Sequence, residues 1–222
     1  MSDNAAAFIP FEPRNFSIEE TIERAKDFFH SMDKRRSLRH FSDRAVPKDV
    51  IENIIRTAST APSGAHMQPW TFCAIRSAEI KSKIRAAAEK EEYENYHGRM
   101  SDRWLKDLEP FGTDHIKPFL EIAPWLIVVM KRSYELVEGE KKNNYYATES
   151  VGLATGFLLA AIHNAGLVAL THTPSPMNFL AKVLDRPENE KPFLLIPVGY
   201  AANGAEVPAL KRKSLEDVAV FY

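Results

Sequence analysis

Trp125-Leu126-Ile127-Val128-Val129-Met130 is the stretch of sequence on which the fold depends. All of its residues are apolar and half of them are β-branched, a composition that predicts a strand buried on both faces. On either side of it, similar patterns predict strands at 70–76, 167–173 and 193–200. Helical patterns separate these strands, so the sequence predicts an α/β or α+β domain with no linker that would split the chain.

Local signals predict where the helices begin and end. Ser17-Ile18-Glu19-Glu20 is a capping-box pattern and starts a helix that runs to about Ser31. Pro47, at a first helical position, opens a second helix, which ends at the loop Pro62-Ser63-Gly64. Further helices are predicted from Ser77 to about Tyr96, from Tyr145 to Asn164 with Gly166 as its stop, and, briefly, between the last two strands.

Three segments have unusual compositions. Residues 1–16 read as an irregular arm, but the arm is too apolar for a free tail and is expected to pack on another surface; its large apolar residues are Phe8, Ile9, Phe11 and Phe16. Residues 98–118 mix glycine, proline, charges and aromatic side chains, which predicts a mobile segment. The helix at 145–164 is rich in glycine and alanine, which allows close approach and predicts a central core helix or a subunit interface.

The overall composition argues against several classes of function. A net charge of −1 over 222 residues creates no field that would attract nucleic acid or an anionic membrane. Cys73 is the single cysteine, which excludes an intramolecular disulfide, and no histidine or carboxylate pattern indicates a metal site. Residues 1–10 lack a signal-peptide pattern, and the apolar stretches are too short to cross a membrane. We therefore expect a soluble protein in a reducing, cytoplasmic setting.

One segment concentrates positive charge in this otherwise neutral chain. Arg35-Arg36-Ser37-Leu38-Arg39 carries three guanidinium groups and a hydroxyl, and Lys211-Arg212-Lys213 is a second basic cluster. Such a segment can be a solvated turn or a nucleic-acid contact, but arginine forks also bind phosphate oxygens in pairs. Since the sequence has no glycine-rich phosphate loop, a phosphate would have to be bound mainly by these arginines.

A second candidate is the loop Pro62-Ser63-Gly64-Ala65-His66-Met67-Gln68-Pro69-Trp70. Gly64 permits backbone conformations that are closed to other residues, and the flanking prolines stiffen both ends. The loop also offers hydroxyl, imidazole, amide and backbone donors. Taken alone, it is equally compatible with a plain connection between a helix and a strand.

Together, at this spacing and in this order, the arginine cluster and the loop resemble the nitroreductase superfamily of FMN enzymes. Further stretches, spread over roughly residues 33–215, resemble the iodotyrosine deiodinase branch of that superfamily; they include Asn164–Val168, Thr171–Pro174, Pro197–Tyr200 and Leu210–Lys213. The resemblance implies one α+β domain over 1–222, with a three-layer α/β/α fold and a mixed, mainly antiparallel sheet. It also implies a homodimer that exchanges its terminal extensions and holds FMN at the subunit interface.

The resemblance assigns the cofactor-binding residues. The phosphate and ribityl chain of FMN are expected on Arg35, Arg36, Ser37, Arg39 and Arg212. The flavin ring is expected beside Pro62, Ser63 and Gly64, and over Thr171, His172 and Thr173. Thr173 is the expected hydrogen-bond partner of flavin N5, a role that implies one-electron flavin chemistry.

The resemblance also assigns the substrate-binding residues. The backbone amide of Ala65 is expected to hold the phenolate oxygen of a halotyrosine. Glu92, Tyr96 and Lys117 are expected to bind its ammonium and carboxylate groups, which would order residues 98–118 into a lid. On helical periodicity alone, Glu92 and Tyr96 share a face, but Glu89, Glu91 and Glu94 could serve equally, and the whole face could be merely solvated.

The implied activity is the FMN-dependent reductive dehalogenation of halogenated tyrosines. Its electrons would come from an external donor, an unidentified flavin reductase or NAD(P)H. A general nitroreductase or quinone reductase with the same cofactor site is the main alternative. A flavin-binding module without turnover and a nucleic-acid-binding protein are two others.

Overall fold

The computed structural model describes residues 8–222, which separate into a unit that ends at Lys34 and a unit that spans Arg35–Tyr222. In the first unit, residues 8–16 form neither helix nor strand, and α1 follows as Ile18–Asp33. The Ser17 hydroxyl accepts from the Glu20 amide at 3.1 Å, and the Glu20 carboxylate accepts from the Ser17 amide at 2.9 Å. This pair of bonds confirms the predicted capping box.

The second unit consists of helices and a central antiparallel sheet. Its helices are α2 (Lys48–Ser59), α3 (Ala78–Glu94), α4 (Asp102–Leu108), α5 (Phe119–Ile122), α6 (Ala147–Asn164) and α7 (Asn178–Val183). Its strands are β1 (Trp70–Ile75), β2 (Trp125–Arg132), β3 (Tyr134–Val137), β4 (Glu140–Asn143), β5 (Val168–Ala169) and β6 (Glu190–Gly199).

The sheet has the strand order β1-β2-β6-β5, and each neighbouring pair is antiparallel. All residues of Trp125–Met130 are buried in β2, so the prediction of a strand covered on both faces is confirmed. The antiparallel pairing decides between the two predicted classes in favour of α+β. The parallel bridge between Ser37 and Ala169 makes the strand pairing mixed.

Helices cover both faces of the sheet. Side chains of α2 and α6 pack with Ile127, Val129 and Ile196 in one hydrophobic cluster. Side chains of α3, α5 and α7 pack with Leu126, Val128 and Leu195 in the other. Successive residues of β2 therefore alternate between two cores, each fully buried aliphatic side chain contributing about 1.5–3 kcal/mol. The result is the expected three-layer α/β/α architecture.

Several local predictions were shifted or incomplete. The second helix begins at Lys48, because the extended ψ of 146° at Pro47 places that residue just outside it. The predicted strand at 167–173 keeps only two residues of regular pairing, in β5. The hairpin of β3 and β4 was missed; it turns at Glu138 and Gly139, whose φ angles are 53° and 84°. Residues 98–118 contain α4, capped by the Ser101 hydroxyl.

Candidate functional site

The arginine cluster lines a cavity of about 370 Å³. It is brought there by the bridge between Ser37 and Ala169 and by the bond from the Leu38 amide to the Ala169 carbonyl, at 3.1 Å. Arg212 joins from the C-terminal segment and donates to the Arg35 carbonyl at 2.8 Å. The lining residues are Arg35, Arg36, Ser37, Arg39, Phe111, Leu170, Thr171, Pro208, Leu210, Lys211 and Arg212.

The electrostatics of this cavity fit a phosphate ester. Among the described residues that line it, none carries a carboxylate, although several guanidinium groups converge on it. Burial, together with the positive charges of Arg212 and Arg36, lowers the pKa of Arg35. A bound dianion would relieve that repulsion and accept charge-assisted hydrogen bonds from the arginines and from the Ser37 hydroxyl. These residues are therefore suited to the phosphate of FMN.

A second cavity, of about 220 Å³, adjoins the first and shares Arg39, Leu170 and Thr171 with it. Its wall combines charged, hydroxyl and aromatic side chains. The full set is Arg39, Glu92, Tyr96, Met100, Trp104, Leu108, Thr113, Lys117, Phe119, Leu170, Thr171, His172 and Thr173. The three residues predicted to bind an amino acid, Glu92, Tyr96 and Lys117, are thus together in one wall.

Glu92 and Lys117 form a buried ion pair in this wall. The Glu92 Oε2 and Lys117 Nζ atoms are 3.3 Å apart, and the side chains are only 8% and 4% exposed. Burial raises the pKa of Glu92, and burial lowers the pKa of Lys117, while each charge partly offsets the effect on the other. The Lys117 ammonium also donates to the Thr113 hydroxyl, at 3.1 Å. The pair thus offers one anionic and one cationic partner inside a small cavity.

Tyr96 lies in the π-helical turn Asn95–Arg99 that continues α3. Its hydroxyl donates to the Thr113 carbonyl at 3.1 Å, and the Lys117 ammonium lies 5.5 Å from its ring centroid. Here the turn directs an aromatic face and a hydroxyl toward the same cavity as the ion pair.

In the segment Thr171–Thr173, Thr171 lines both cavities, and His172 and Thr173 line the second. The backbone of His172 pairs with Leu195 in both directions, at 2.9 and 3.0 Å, so the threonines on either side are exposed while His172 is buried. Burial lowers the pKa of His172 to about 3, and the charges of Lys117 and Arg39 act in the same direction. Its Nε2 has no hydrogen-bond partner among the described residues. The imidazole is therefore neutral at physiological pH.

The loop after Pro62 has a strained backbone. Ala65, His66 and Gln68 adopt φ angles of 49°, 56° and 47°, in the left-handed region that is costly for residues other than glycine. The Ser63 hydroxyl accepts from the Gln68 amide at 2.9 Å, and the Gly64 amide donates to Ser150 at 3.4 Å. Within the described residues, the Ala65 amide has no hydrogen-bond partner and is available to an external acceptor.

This loop does not line either cavity. Of the predicted site residues, the arginines, Ser37 and Thr171 meet in the first cavity, and Glu92, Tyr96, Lys117, His172 and Thr173 meet in the second. Pro62, Ser63, Gly64 and Ala65 are held elsewhere, where Gly64 packs so closely on Tyr145 that an added Cβ would lie 2.8 Å from its carbonyl oxygen.

Sequence reasoning missed some polar residues that support the site. Asn95 is buried and donates through Nδ2 to the Ser175 carbonyl at 2.8 Å, which ties the end of α3 to the segment after Thr173. The Arg132 guanidinium donates to the Gln68 and Trp70 carbonyls, at 3.2 and 3.3 Å, and thereby supports the strained loop. No motif distinguishes these residues, because their partners are remote in sequence.

Other kinds of site find little support in the part of the chain that the structure covers. Across residues 8–222, histidine, cysteine, aspartate and glutamate side chains do not gather in a group of three or more that could hold a metal ion. Within the same range, each helix is too short or too polar to span a lipid bilayer.

The model of the nitroreductase family matches residues 32–200, most of the chain. The chain belongs to this family. Among curated nitroreductase relatives, iodotyrosine deiodinase of Haliscomenobacter hydrossis is 62% identical over 97% of this chain and 98% of its own length. Iodotyrosine deiodinase of Hydra vulgaris is 49% identical over 97% of this chain and 80% of its own.

A solved structure agrees with this assignment to the nitroreductase family. It is that of oxidized iodotyrosine deiodinase bound to FMN and 3-iodo-L-tyrosine. The TM-score is 0.77 at 26% identity, and the match covers 87% of this chain and all of the solved chain. The predicted fold, and the membership predicted from the arginine cluster and the loop, are thereby confirmed.

Proposed function

We propose that this protein is an FMN-dependent iodotyrosine deiodinase, which reductively removes halide from halogenated tyrosines. The observation that carries the proposal is the buried pair of Glu92 and Lys117, in a cavity adjoining the arginine-lined one. The amino-acid group of a halotyrosine is a zwitterion, and Glu92 and Lys117 offer it one partner of each charge at short range. The arginines of the adjoining cavity offer partners for the phosphate of FMN. The names of the curated relatives, and the ligands of the solved deiodinase, support the same activity.

In the proposed reaction, a carbon–halogen bond breaks and a carbon–hydrogen bond forms. The balance is one aryl halide, one proton and two electrons in, and one arene and one halide ion out. Reduced FMN, when bound, supplies the two electrons. The remaining work of the protein is to bind, orient and desolvate the halotyrosine.

The cofactor would be held at both of its ends. Arg35, Arg36, Arg39 and Arg212, with Ser37, would bind the phosphate and ribityl chain. The flavin ring would lie between the segment Thr171–Thr173 and the loop Pro62–Gly64 of a second copy of the chain, with the Thr173 hydroxyl donating to N5. The neutral His172 beneath Thr173 adds no positive charge of its own at that edge.

The substrate would be held by both its side chain and its amino-acid group. Its ammonium would take the place of Lys117 on the Glu92 carboxylate, and its carboxylate would bind the Lys117 ammonium. The free Ala65 amide would donate to the phenolate oxygen, a fixed dipole where negative charge is greatest. Residues 98–118, which include Trp104 and Thr113 in the cavity wall, would close over the ligand as a lid and exclude water.

We further propose that the working molecule is a homodimer. The Pro62–Ala65 loop lines neither cavity, so a second copy is the means to bring an Ala65 amide to the ligand. β1 is an edge strand, α6 exposes Leu153 and Phe157, and the last residues expose Val220 and Phe221. Apolar surface of this extent is typical of an interface, and exchanged terminal segments would cover it. The setting would be cytoplasmic, with an external flavin reductase or NAD(P)H as electron donor.

Purification and titration test the proposal. We expect a yellow protein that contains about one FMN per chain, whose flavin fluorescence is quenched by 3-iodo-L-tyrosine and which releases iodide and tyrosine when reduced with dithionite. Efficient reduction of nitroaromatics without any response to iodotyrosine would instead identify a general nitroreductase. A colourless protein that does not take up FMN would overturn the proposal.

A further inference from the structure

Two glutamates, one helical turn apart on α3, hold opposite ends of Lys117. The Glu92 carboxylate lies 3.3 Å from the Lys117 ammonium. The Glu89 Oε1 atom accepts a hydrogen bond from the Lys117 backbone amide at 2.7 Å. The side chain that faces the ligand and the backbone that carries it are thus both attached to the same helix, although 28 residues separate Glu89 from Lys117.

The backbone of Lys117 needs this acceptor. Lys117 lies outside regular structure, since α5 begins two residues later, and the residue before a proline is disfavoured in helical geometry. Its amide therefore has no acceptor within a helix, and a buried amide without a partner costs about 1–3 kcal/mol. The Glu89 carboxylate satisfies the amide with a charge-assisted hydrogen bond.

Glu89 is itself fixed in place. Arg85, one turn earlier on α3, donates through Nε to Glu89 at 2.7 Å and through NH1 to Glu121 of α5 at 2.7 Å. The Lys81 ammonium, another turn earlier, donates to the carbonyls of Glu121 and Ala123 at 2.7 and 2.8 Å. Side chains on one face of α3 therefore bind residues on both sides of Pro118. Lys81 and Arg85 bind the segment after it, and Glu89 binds Lys117 before it.

We propose that Glu89 is a positioning residue for recognition of the amino-acid group. It fixes the backbone of Lys117 so that the ammonium is presented to the carboxylate of the ligand at a set distance from Glu92. Glu89 touches neither the proposed ligand nor the proposed cofactor, since it lines neither cavity. The inference rests on the proposed function for the identity of the ligand, but not for the contact between Glu89 and Lys117.

Ligand binding to the FMN-loaded protein tests this role. Glu89→Ala is expected to raise the Kd of 3-iodo-L-tyrosine about tenfold, corresponding to about 1.4 kcal/mol. It should change the Kd of 2-iodophenol, which has no carboxylate, by less than about twofold, and FMN content should stay constant. Glu89→Gln retains a neutral acceptor for the amide, and its loss of affinity is expected to be smaller, about threefold. Flavin fluorescence quenching measures each constant.

Glu91 provides a matched control. It lies on the same helix with the same charge, and its salt bridge, to Arg99 at 2.7 Å, does not involve Lys117. Glu91→Ala should leave the ratio of the two dissociation constants unchanged. In a Lys117→Met background, Glu89→Ala should have no further effect on the ratio, because the ammonium through which it acts is gone.

Hydrogen exchange separates this inference from the proposed function. In the ligand-free protein, the Lys117 amide should exchange at least about tenfold faster in Glu89→Ala than in the wild type or in Glu91→Ala. Equal exchange rates, or equal losses of iodotyrosine and iodophenol affinity, would overturn the role of Glu89. A wild type that binds no iodotyrosine would overturn the proposed function and the ligand part of this inference, while the exchange result would still decide the contact. If Glu89→Ala does not fold, both measurements are made on Glu89→Gln. The Kd of 3-iodo-L-tyrosine and the exchange rate of the Lys117 amide should then each rise about threefold.

Discussion

At the scale of single residues, the candidate site combines charges that are hidden from water. Glu92 and Lys117 are almost entirely buried, and their opposite charges lie 3.3 Å apart. A buried pair of this kind contributes little to stability by itself, but removal of one partner leaves an uncompensated charge. Such an arrangement suits the binding of a zwitterionic ligand, whose two charges can each pair with one of these side chains.

Glu92→Gln should weaken the binding of 3-iodo-L-tyrosine far more than the binding of 2-iodophenol. The substitution removes the anion that accepts the ammonium, and we expect a loss of about 30-fold or more for the amino acid, against less than about threefold for the phenol. Isothermal titration of the FMN-loaded protein measures both. Glu94→Gln, at an exposed position of the same helix, serves as the control, and equal losses for the two ligands would contradict the assignment.

Thr173→Ala should retain FMN but lose dehalogenation. The Thr173 side chain is exposed at the cavity wall, and its hydroxyl is the proposed donor to flavin N5. We expect iodide release to fall at least about tenfold while the two-electron reduction of a nitroaromatic continues or rises. Thr173→Ser keeps the hydroxyl and should restore iodide release. Unchanged dehalogenation in Thr173→Ala would remove Thr173 from the proposed chemistry.

His172 should make the protein sensitive to acid. The unfolded chain binds a proton near the ordinary pKa of 6.5, whereas the folded chain does not until the pKa of about 3. Stability therefore falls as the pH drops from 6.5 toward 3, by about 2 kcal/mol between pH 7 and pH 5. Urea unfolding of His172→Asn should show a shallower pH dependence in this range. The exposed His40→Asn is the control, and an unaltered slope in His172→Asn would contradict the burial argument.

At the scale of elements, the loop between α2 and β1 is shaped by its neighbours. Three left-handed residues in the loop and a left-handed Tyr146 in the segment that packs on Gly64 are an unusual concentration of backbone strain. The hydrogen bonds from Arg132 and to Ser63 hold that conformation. This conformation suits the role proposed for the loop, in which the Ala65 amide is oriented before the ligand binds.

Gly64→Ala should destabilise the protein by about 1–3 kcal/mol, because its Cβ would lie 2.8 Å from the Tyr145 carbonyl oxygen. The displaced loop would also move Ala65, so 2-iodophenol should bind more weakly as well. Melting temperature and fluorescence quenching measure the two effects. Gly98→Ala, where an added Cβ meets nothing within 4 Å, is the matched control. Wild-type stability in Gly64→Ala would show that the contact can relax freely.

At the scale of the whole molecule, two features favour the proposed homodimer: the exposed apolar side chains, and the distance of the Pro62–Ala65 loop from both cavities. A chain that lacks residues 218–222 should form a weaker dimer and retain less FMN, because it lacks the exposed apolar side chains of its C-terminal end. Light scattering after gel filtration, together with the ratio of flavin to protein absorbance, measures both. The exposed Lys142→Ala on the hairpin is the control. A monomer that binds FMN with wild-type affinity would contradict the dimer proposal.

Much of this protein could be predicted from local pattern. Several elements depend on residues within a few positions of one another, so the linear sequence contains the whole signal. They are strand β2, the helix caps at Ser17 and Ser77, and the end of α6 just before Gly166. The hairpin of β3 and β4 was missed because its strands are short and largely exposed. The arginine cluster is likewise visible as a local concentration of positive charge, and its assignment to a phosphate stays a prediction.

The family resemblance selected Glu92, whereas its contact with Lys117 and the separate role proposed for Glu89 required the folded chain. Helical periodicity placed several glutamates of α3 on candidate faces, but it contains no information on which of them meets Lys117. That is decided where α3 packs beside α5, because the packing brings residues about 25 positions apart within hydrogen-bond distance. The same holds for His172, whose charge state follows from burial, a property of the surrounding structure and not of the imidazole.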